Sequence, residues 1–541
     1  MIKAPGALQK PHLAAFRVSA TMWALCAMAP EGASGVQEAA PRVARVPGAR
    51  CRGNPGATIN SDDPAPVKTR FAPSPSGFLH LGNARTALFN ALWARRAGGV
   101  FLLRIEDSDP ERSGEEYDQA LREDLEWLGL GWQEGPGRSA SRGPYRQSER
   151  GEVYRHYYHR LEELGHAYPC FCTPDVLEQA RAAQLRAGRP PRYPGTCARL
   201  SADQVRERHA SGLGASLRFR VPPDRNVEFE DLMRGPQRFV TSDLGDFIIR
   251  RADGTPAFFF CNALDDALME VSDVLRGEDH LTNTPRQLLL LQALGLPAPR
   301  YGHLSLITGD DGTPLSKRHG ARSVRELRES GYRPEALVNY LARVGHTYAE
   351  DRLVDLEELA RGFDVARLGH APARYDAAQL RHWQRLALDR LADADLWDWI
   401  CARGPAEPAS LRGLVPADKY VAFTATVRAN IEFPEDALRW ARCLFGEPPS
   451  YGEEACAELC VAGIPFFQAA LAALAQGPIS FEALRAALTR ELGVKGRALF
   501  MPLRVALTTE THGPELARVW DLMGAERVRR RLAAALAQSG G

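Results

Sequence analysis

The chain has 541 residues, 45% hydrophobic and 25% charged, with a formal net charge of +1. This composition excludes a wholly disordered chain, a collagen-like repeat and a small disulfide scaffold, and it leaves room for several domains, each with its own core. Near-neutral charge means that any nucleic-acid partner must be held by locally clustered basic residues.

Ten cysteines without the spacing of a small secreted protein point to a reducing compartment. No charge-free run approaches the ~20 apolar residues of a membrane helix, so a soluble, cytoplasmic protein with no membrane partner is expected. Residues 1–66 stand apart: no acidic residue precedes Glu31, and Lys3, Lys10 and Arg17 lie among Ala, Ser and short apolar runs. A mitochondrial transit peptide has this composition, a poor secretory signal fits Leu13 to Pro30 apart from Arg17, and so does a disordered extension or a start codon placed too far upstream. These readings stay open, and the segment is set aside from the fold.

From Val67 apolar strands alternate with periodic helices, the pattern of a parallel sheet wrapped by helices, an α/β fold. Thr69 to Ala72 reads as a first strand. A Pro- and Gly-rich loop follows, then Ala84, Ala87, Leu88, Ala91 and Leu92 share one face of a helix that Gly98 and Gly99 stop. Val100 to Ile105 is a buried strand ending in Glu106 and Asp107, which completes a βαβ unit within the first half of the sheet domain, 67–148. Ligands bind beyond the carboxyl ends of such strands, which puts Ala72 to Asn83 and Glu106 at one site. Residues 149–261 turn mixed, polar and Pro-rich, an insertion into that domain. Its second half, 262–371, contains a strand over Glu270 to Arg276 and a helix through Leu288 to Leu294, with Asn283 or Thr284 as N-cap and Pro285 in the first turn. In 372–541 helical periodicity dominates, a separate all-α region in which Cys456 and Cys460, one helical turn apart, read as core.

Two motifs carry the chemistry. In RFAPSPSGFLHLGNARTALFNA, Arg70 to Ala91, His80 and Asn83 sit where a helix begins. Free N–H groups and the positive dipole end there seat phosphate, and Gly82 lets a nucleotide approach the backbone. In LSKRHG, Leu315 to Gly320, Lys317 is a point charge able to stabilise phosphates as charge develops. Singly, each reads as a rigid loop or a solvated basic loop. Together, roughly 240 residues apart, they form a constellation that chance rarely supplies.

These motifs resemble those of the glutamyl-tRNA synthetases. HLGN (His80 to Asn83) and LSKRH match the two class I signatures, and RIEDSD, WLGLGW, GPYRQSER, LRGEDH, NTPRQ and MPLRVALT follow in the family's order from Arg104 to Thr508. The resemblance implies a Rossmann-like catalytic domain, an inserted acceptor-binding domain and a helical anticodon-binding region. It implies a monomer that uses ATP with Mg²⁺ to activate L-glutamate and esterify it to tRNA(Glu). It places Arg70, Ala72, Ser74, Glu106, Phe258, Asn262 and Arg276 around glutamate. It places His80, Gly82, Asn83, Glu278, Lys317 and Arg318 around ATP, with His80, Asn83 and Lys317 catalytic. Physically, Arg70 at a strand end offers a guanidinium fork for a carboxylate, with pairing to a carboxylate such as Asp107 as the plain alternative. Phe258 stands where the family has a tyrosine, so one hydroxyl is missing.

Cys170, Cys172 and Cys197 suit zinc but are one ligand short of a structural site. Some relatives supply a histidine where this chain has Arg199, others a tyrosine where it has Tyr193. A zinc site and a metal-free thiol cluster both stay open. Arg218, Arg220, Arg234, Arg250 and Arg251 are candidates for acceptor-stem phosphates, though each alone reads as solvated surface. The anticodon pattern departs from the family at QLRHWQ, Gln379 to Gln384, which leaves the choice between tRNA(Glu) and tRNA(Gln) open. A non-catalytic tRNA-binding protein is the third reading, against which the presence of both His80 and Lys317 speaks.

Overall fold

The computed structural model describes residues 66–109, 113–138, 142–315, 322–402, 410–447, 450–475, 477 and 479–540. Its strands, in chain order, are β1 (Lys68–Phe71), β2 (Val100–Leu103), β3 (Ala167–Cys170), β4 (Ser216–Phe219), β5 (Asn226–Asp231), β6 (Gly235–Val240), β7 (Phe247–Arg250), β8 (Asp273–Gly277), β9 (Arg300–Leu304), β10 (Ile307–Thr308) and β11 (Ala373–Arg374). The main sheet has the order β2-β1-β8-β9-β5-β6. Its first five strands run parallel, and β6 folds back antiparallel on β5 at the edge.

The first βαβ unit forms as its residues dictate. The helix Leu81–Arg96 buries Leu81, Ala84, Ala87, Leu88 and Leu92 against the sheet, the face that the apolar spacing predicts. His80 is its N-cap, with extended backbone and an imidazole Nδ1 that accepts from the Asn83 amide. The helix closes through Gly99 N–H to the Ala94 carbonyl at 2.8 Å. The helix Thr284–Leu294 begins where the sequence indicates, but the Asn283 side chain does not cap it; its amide lies 3.1 Å from His280 Nδ1 instead.

The inserted stretch does two things. Strands β3, β4 and β7 form its own antiparallel sheet, over a core that includes Tyr154, Tyr158, Leu217, Phe219, Phe247 and Phe260. Between β4 and β7, however, the β5–β6 hairpin returns to the main sheet and pairs with β9 at Asp231 and Tyr301. The insertion is thus threaded through the main sheet.

Beyond Arg374 every described regular element is helical, from Ala377–Asp389 to Leu516–Gln538. Leu380, Trp383 and Ala387 belong to the core of the sheet domain, whereas the second core begins at Leu388. Gln384, fully buried, bridges the two: its Oε1 accepts from the Arg333 amide at 2.9 Å, and its Nε2 donates to the Gly331 and Glu432 carbonyls at 3.1 and 3.0 Å. One helix, Glu453–Ala475, is long and apolar enough to cross a membrane by length and composition. It is kinked at Gly463 and buries Leu459, Phe466, Phe467, Ala470 and Leu474 in the helical core. On it Cys460 is exposed and Cys456 half-buried, contrary to the expectation that both are core.

A side chain at Gly99 would place its first carbon 1.9 Å from the Val67 carbonyl oxygen, which itself accepts from Val100 N–H. Backbone cannot give way cheaply. Gly99→Ala is therefore expected to destabilise the sheet domain by about 2 kcal/mol or more, read as a lower midpoint in a thermal or urea melt; an unchanged midpoint would show that β1 and β2 separate without cost.

Candidate active site

The carboxyl ends of β1, β8 and β9 and the amino end of the helix Leu81–Arg96 enclose a cavity of about 260 Å³. Of the residues expected there, Arg70, Ala72, His80, Gly82, Asn83, Glu106, Phe258, Asn262 and Arg276 line it. Ser74 is exposed and lies outside that lining. Glu278 stands beside the cavity, its carboxylate paired with Arg234 and accepting from the Leu306 amide at 3.1 Å. Lys317 and Arg318 lie outside the described residues. The chain on either side of them is anchored at the site: Leu315 N–H donates to the Ile307 carbonyl at 2.9 Å, and Val324 N–H to the Leu79 carbonyl at 2.8 Å.

Under the cavity lies a buried charge network that sequence patterns did not single out. Arg104, at the end of β2, is fully buried and pairs with Asp266 at 2.7 Å and Glu106 at 3.0 Å. Burial works against its charge, but Asp266, Glu106 and Asp265 overcome this and raise its pKa further. Asp266 also faces Arg70, at 3.4 Å. Burial would raise the Asp266 carboxyl, yet Arg70 and Arg104 outweigh it and hold it below the usual range. The neighbouring Asp265 receives Arg150 Nε at 2.7 Å, Tyr154 Oη at 2.8 Å and Gln147 Nε2 at 2.9 Å. The signal available in the sequence is the pair Asp265–Asp266 inside an otherwise apolar helical run, since carboxylates there are buried only when paired. Arg70 therefore has a carboxylate partner, but not Asp107, which accepts instead from Ser148 N–H at 2.9 Å and Oγ–H at 2.7 Å.

Arg276 is different. It is buried, and among the described residues no carboxylate lies within ion-pair distance of it. Its guanidinium rests on neutral acceptors, Gln287 Oε1 at 2.7 Å and Thr284 Oγ1 at 2.8 Å. Burial lowers its pKa to about 10, which still leaves it charged at neutral pH. Glu106 faces the same cavity; burial pushes its carboxyl up, against the pull of Arg104, Arg70 and Asn262, whose Nδ2 donates to Glu106 Oε1 at 2.6 Å. A cation and an anion, each held from behind, thus meet one small volume.

At the amino end of the helix Leu81–Arg96 burial lowers the pKa of His80, although the ring remains accessible. With Nδ1 accepting from the Asn83 amide, the proton sits on Nε2, which makes the ring a donor. Gly82 is small because the ring is near: an added side-chain carbon would lie 3.2 Å from it. Phe258 opens the helix Phe258–Leu268 and packs on His280, ring centroids 5.3 Å apart.

Cys170, Cys172 and Cys197 converge, their sulfurs all within 4.8 Å of one another. Tyr193 joins them: its hydroxyl lies 3.4 Å from Cys170 Sγ and 3.6 Å from Cys172 Sγ, and it accepts from Cys197 N–H at 2.8 Å. The separation of 3.7 Å between Cys172 and Cys197 sulfurs is close to the edge of a tetrahedron with ~2.3 Å zinc–sulfur bonds, so the donor set fits that ion. Of the five arginines considered for acceptor-stem contacts, Arg218 is buried with its guanidinium 3.8 Å from the Tyr193 ring centroid, and Arg234 is committed to Glu278. Arg220 lies over Tyr168 at 4.6 Å and Arg250 over Tyr158 at 5.7 Å. Arg220 and Arg251 are exposed, and Arg251 donates to Thr255 and Pro256.

Because Asp265 has no exposed surface and three donors, removing it strands Arg150 in the interior. Asp265→Ala is expected to cost about 3–5 kcal/mol, seen as a large drop in the unfolding midpoint, with Asp265→Asn clearly milder; equal and small effects would show that Arg150 finds solvent.

The family descriptions "tRNA synthetases class I (E and Q), catalytic domain" and "Anticodon binding domain" match residues 66–382 and 405–536. Glutamate–tRNA ligase 2 of Nitrosococcus oceani is 60% identical over 473 residues, spanning 87% of this chain and 99% of its own length. Glutamate–tRNA ligase 1 of Methylococcus capsulatus is 56% identical over 468 residues, spanning 86% and 98%. A crystal structure of a glutamate–tRNA ligase from Elizabethkingia meningosepticum, in complex with its amino acid, superposes with a TM-score of 0.77 at 29% identity, covering 87% of this chain and 99% of that one. Identity of this order over nearly the whole length of these relatives, with both domain families in place, makes this chain a member of the glutamate–tRNA ligase family of class I tRNA synthetases.

Proposed function

We propose that this cavity activates L-glutamate with ATP as glutamyl-adenylate and that the enzyme then transfers it to the 3′ end of tRNA(Glu). The observation that carries the reading is the pairing of a buried, carboxylate-free Arg276 with Glu106 across one small cavity. A dicarboxylic amino acid presents two carboxylates and an ammonium group. Arg70 and Arg276 suit the former and Glu106 the latter, with Ala72, Phe258 and Asn262 shaping the rest. ATP belongs at the helix amino end, where His80 Nε2–H, Gly82 and Asn83 meet its phosphates with Glu278 alongside. Lys317 and Arg318 supply charge as pyrophosphate departs, and Mg²⁺ accompanies the nucleotide. Attack of the glutamate α-carboxylate on the α-phosphorus forms the mixed anhydride and releases pyrophosphate. The tRNA terminal hydroxyl then attacks the carbonyl and releases AMP. A neutral His80 already engaged at Nδ1 is a donor to phosphate and not a base. The same reading takes the enzyme as a cytoplasmic monomer.

The alternative acceptor, tRNA(Gln), was suggested by the divergent run Gln379 to Gln384. Trp383 and Gln384 are fully buried and serve packing and the bridge to Glu432, so this divergence does not itself present altered side chains to an anticodon. Charging of both purified tRNAs with radiolabelled glutamate tests the proposal, with product expected on tRNA(Glu) and little on tRNA(Gln). Charging of tRNA(Gln) alone, or of neither by folded protein, overturns it. In the same assays Lys317→Ala is expected to lower the rate of adenylate formation by about 100-fold or more with little change in tRNA affinity.

Zinc is the proposed occupant of the Cys170, Cys172, Tyr193 and Cys197 site, where it would fix the fold of the inserted segment. About one zinc per chain is expected from metal analysis, falling on Cys197→Ser. A metal-free, fully active preparation would establish the thiol cluster instead.

A further inference from the structure

Arg276 is held by one more partner: its Nε–H donates to His303 Nε2 at 3.2 Å. Its remaining terminal nitrogen, Nη1, is buried and has no partner among the described residues. The orientation of that free nitrogen depends on which ring nitrogen of His303 carries the proton, and the surroundings settle this. Asp231 Oδ1 receives the amides of Arg234 at 2.9 Å, Met233 at 3.0 Å and His303 at 3.3 Å. Burial would raise its carboxyl, but the His303 hydrogen bond and these amides outweigh it and hold Asp231 ionised. Its other oxygen contacts His303 Nδ1, and a carboxylate only accepts, so the proton is on Nδ1. Nε2 is then a lone pair, flanked by two donors, Arg276 Nε–H and, at 3.1 Å, Thr284 Oγ1.

We propose that His303, locked by Asp231 in its Nδ1–H form, is a positioning residue that aims Arg276 Nη1 at a carboxylate of the bound amino acid and so sets the affinity for glutamate. Asp231, His303 and Arg276 are all buried, so water cannot substitute for any link. The chain continues beyond Arg276 through Gln287, whose Nε2 donates to Asn262 Oδ1 at 2.7 Å, and through Asn262 to Glu106. The cation for the substrate carboxylate and the anion for its ammonium are therefore spaced by one rigid hydrogen-bonded relay. A second proton on His303 would point an N–H at Arg276 Nε–H and break it. Around the ring stand Asp231, Arg234, Arg276, Thr284 and Tyr301; burial and Arg276 lower its pKa further than Asp231 raises it, which keeps the acceptor in place.

The inference rests on the glutamate-activating reading. Charging of tRNA(Glu) by the full-length wild type, H303F and H303Q, with glutamate and ATP varied separately, tests it. H303F, which fills the space without an acceptor, is expected to raise KM for glutamate about 10-fold or more while kcat and KM for ATP move less than about 3-fold. H303Q, whose Oε1 reaches the Nε2 position, is expected to recover most of the loss. Equal shifts in both KM values, a fall in kcat alone, or H303Q no better than H303F would overturn the role. Should H303F fail to fold, Asp231→Asn carries the same test, since a donating amide at Nδ1 forces the proton onto Nε2 and must again raise KM for glutamate selectively. No charging by the wild type would sink the activity and this role together, whereas a wild type that charges beside variants with an unmoved glutamate KM would sink only the role of His303.

Discussion

The organisation of the site follows from the burial of one guanidinium, Arg104. A fully desolvated cation costs several kcal/mol unless carboxylates surround it, and those carboxylates arrive from Glu106 on the next residue but one and from Asp265 and Asp266, far along the chain. The helix Phe258–Leu268 is therefore pinned beneath β1 and β2. Once Asp266 is shared between Arg104 and Arg70, Arg276 and Arg85 are left lining the cavity as buried cations that, among the described residues, have no carboxylate within ion-pair distance.

This division of labour separates structural from ligand-facing charge by the nature of the partners. Asp265 is saturated by Arg150, Gln147 and Tyr154 and faces no ligand. Arg276 rests on an amide oxygen, a hydroxyl and an imidazole lone pair, acceptors strong enough to orient a guanidinium but unable to neutralise it. The amino end of the helix Leu81–Arg96 works in the same way: one backbone amide at Asn83 occupies His80 Nδ1 and so chooses which ring nitrogen is the donor.

Much of this architecture was legible in the residues. The Gly98–Gly99 stop, the buried face of the helix Leu81–Arg96, His80 at its amino end and the grouping of Cys170, Cys172 and Cys197 follow from local spacing, whereas Tyr193 beside them was implied by the family resemblance. What escaped were contacts between distant segments. Periodicity sees a side chain's face but not its partner, so Arg70 gained Asp266 in place of Asp107, and Arg218 and Arg234 turned inward to Tyr193 and Glu278 although basic residues in a polar stretch suggest a surface. The return of the β5–β6 hairpin to the main sheet is likewise invisible to composition, because its alternation fits either sheet. Trp383 and Gln384 read as part of the helical region, yet their large buried side chains serve the junction between the two cores.

The threading of the insertion also dictates when this protein can fold during synthesis. Strand β1 pairs on one side with β2, close by, and on the other with β8, at Thr69 and Asp273. Strand β9, in turn, lies between β8 and β5. Until β8 is made, β1 presents an open edge, and until the helix Phe258–Leu268 arrives Arg104 lacks Asp266; β5 is joined to the sheet only once β9, ending at Leu304, exists. Pairings of such long sequence separation are slow and expose unsatisfied edges while they wait. The inserted antiparallel sheet, whose last strand ends at Arg250, can thus form from local contacts ahead of the main sheet that encloses it in sequence, and the cavity at the strand ends cannot exist before β8 and β9 have joined β1.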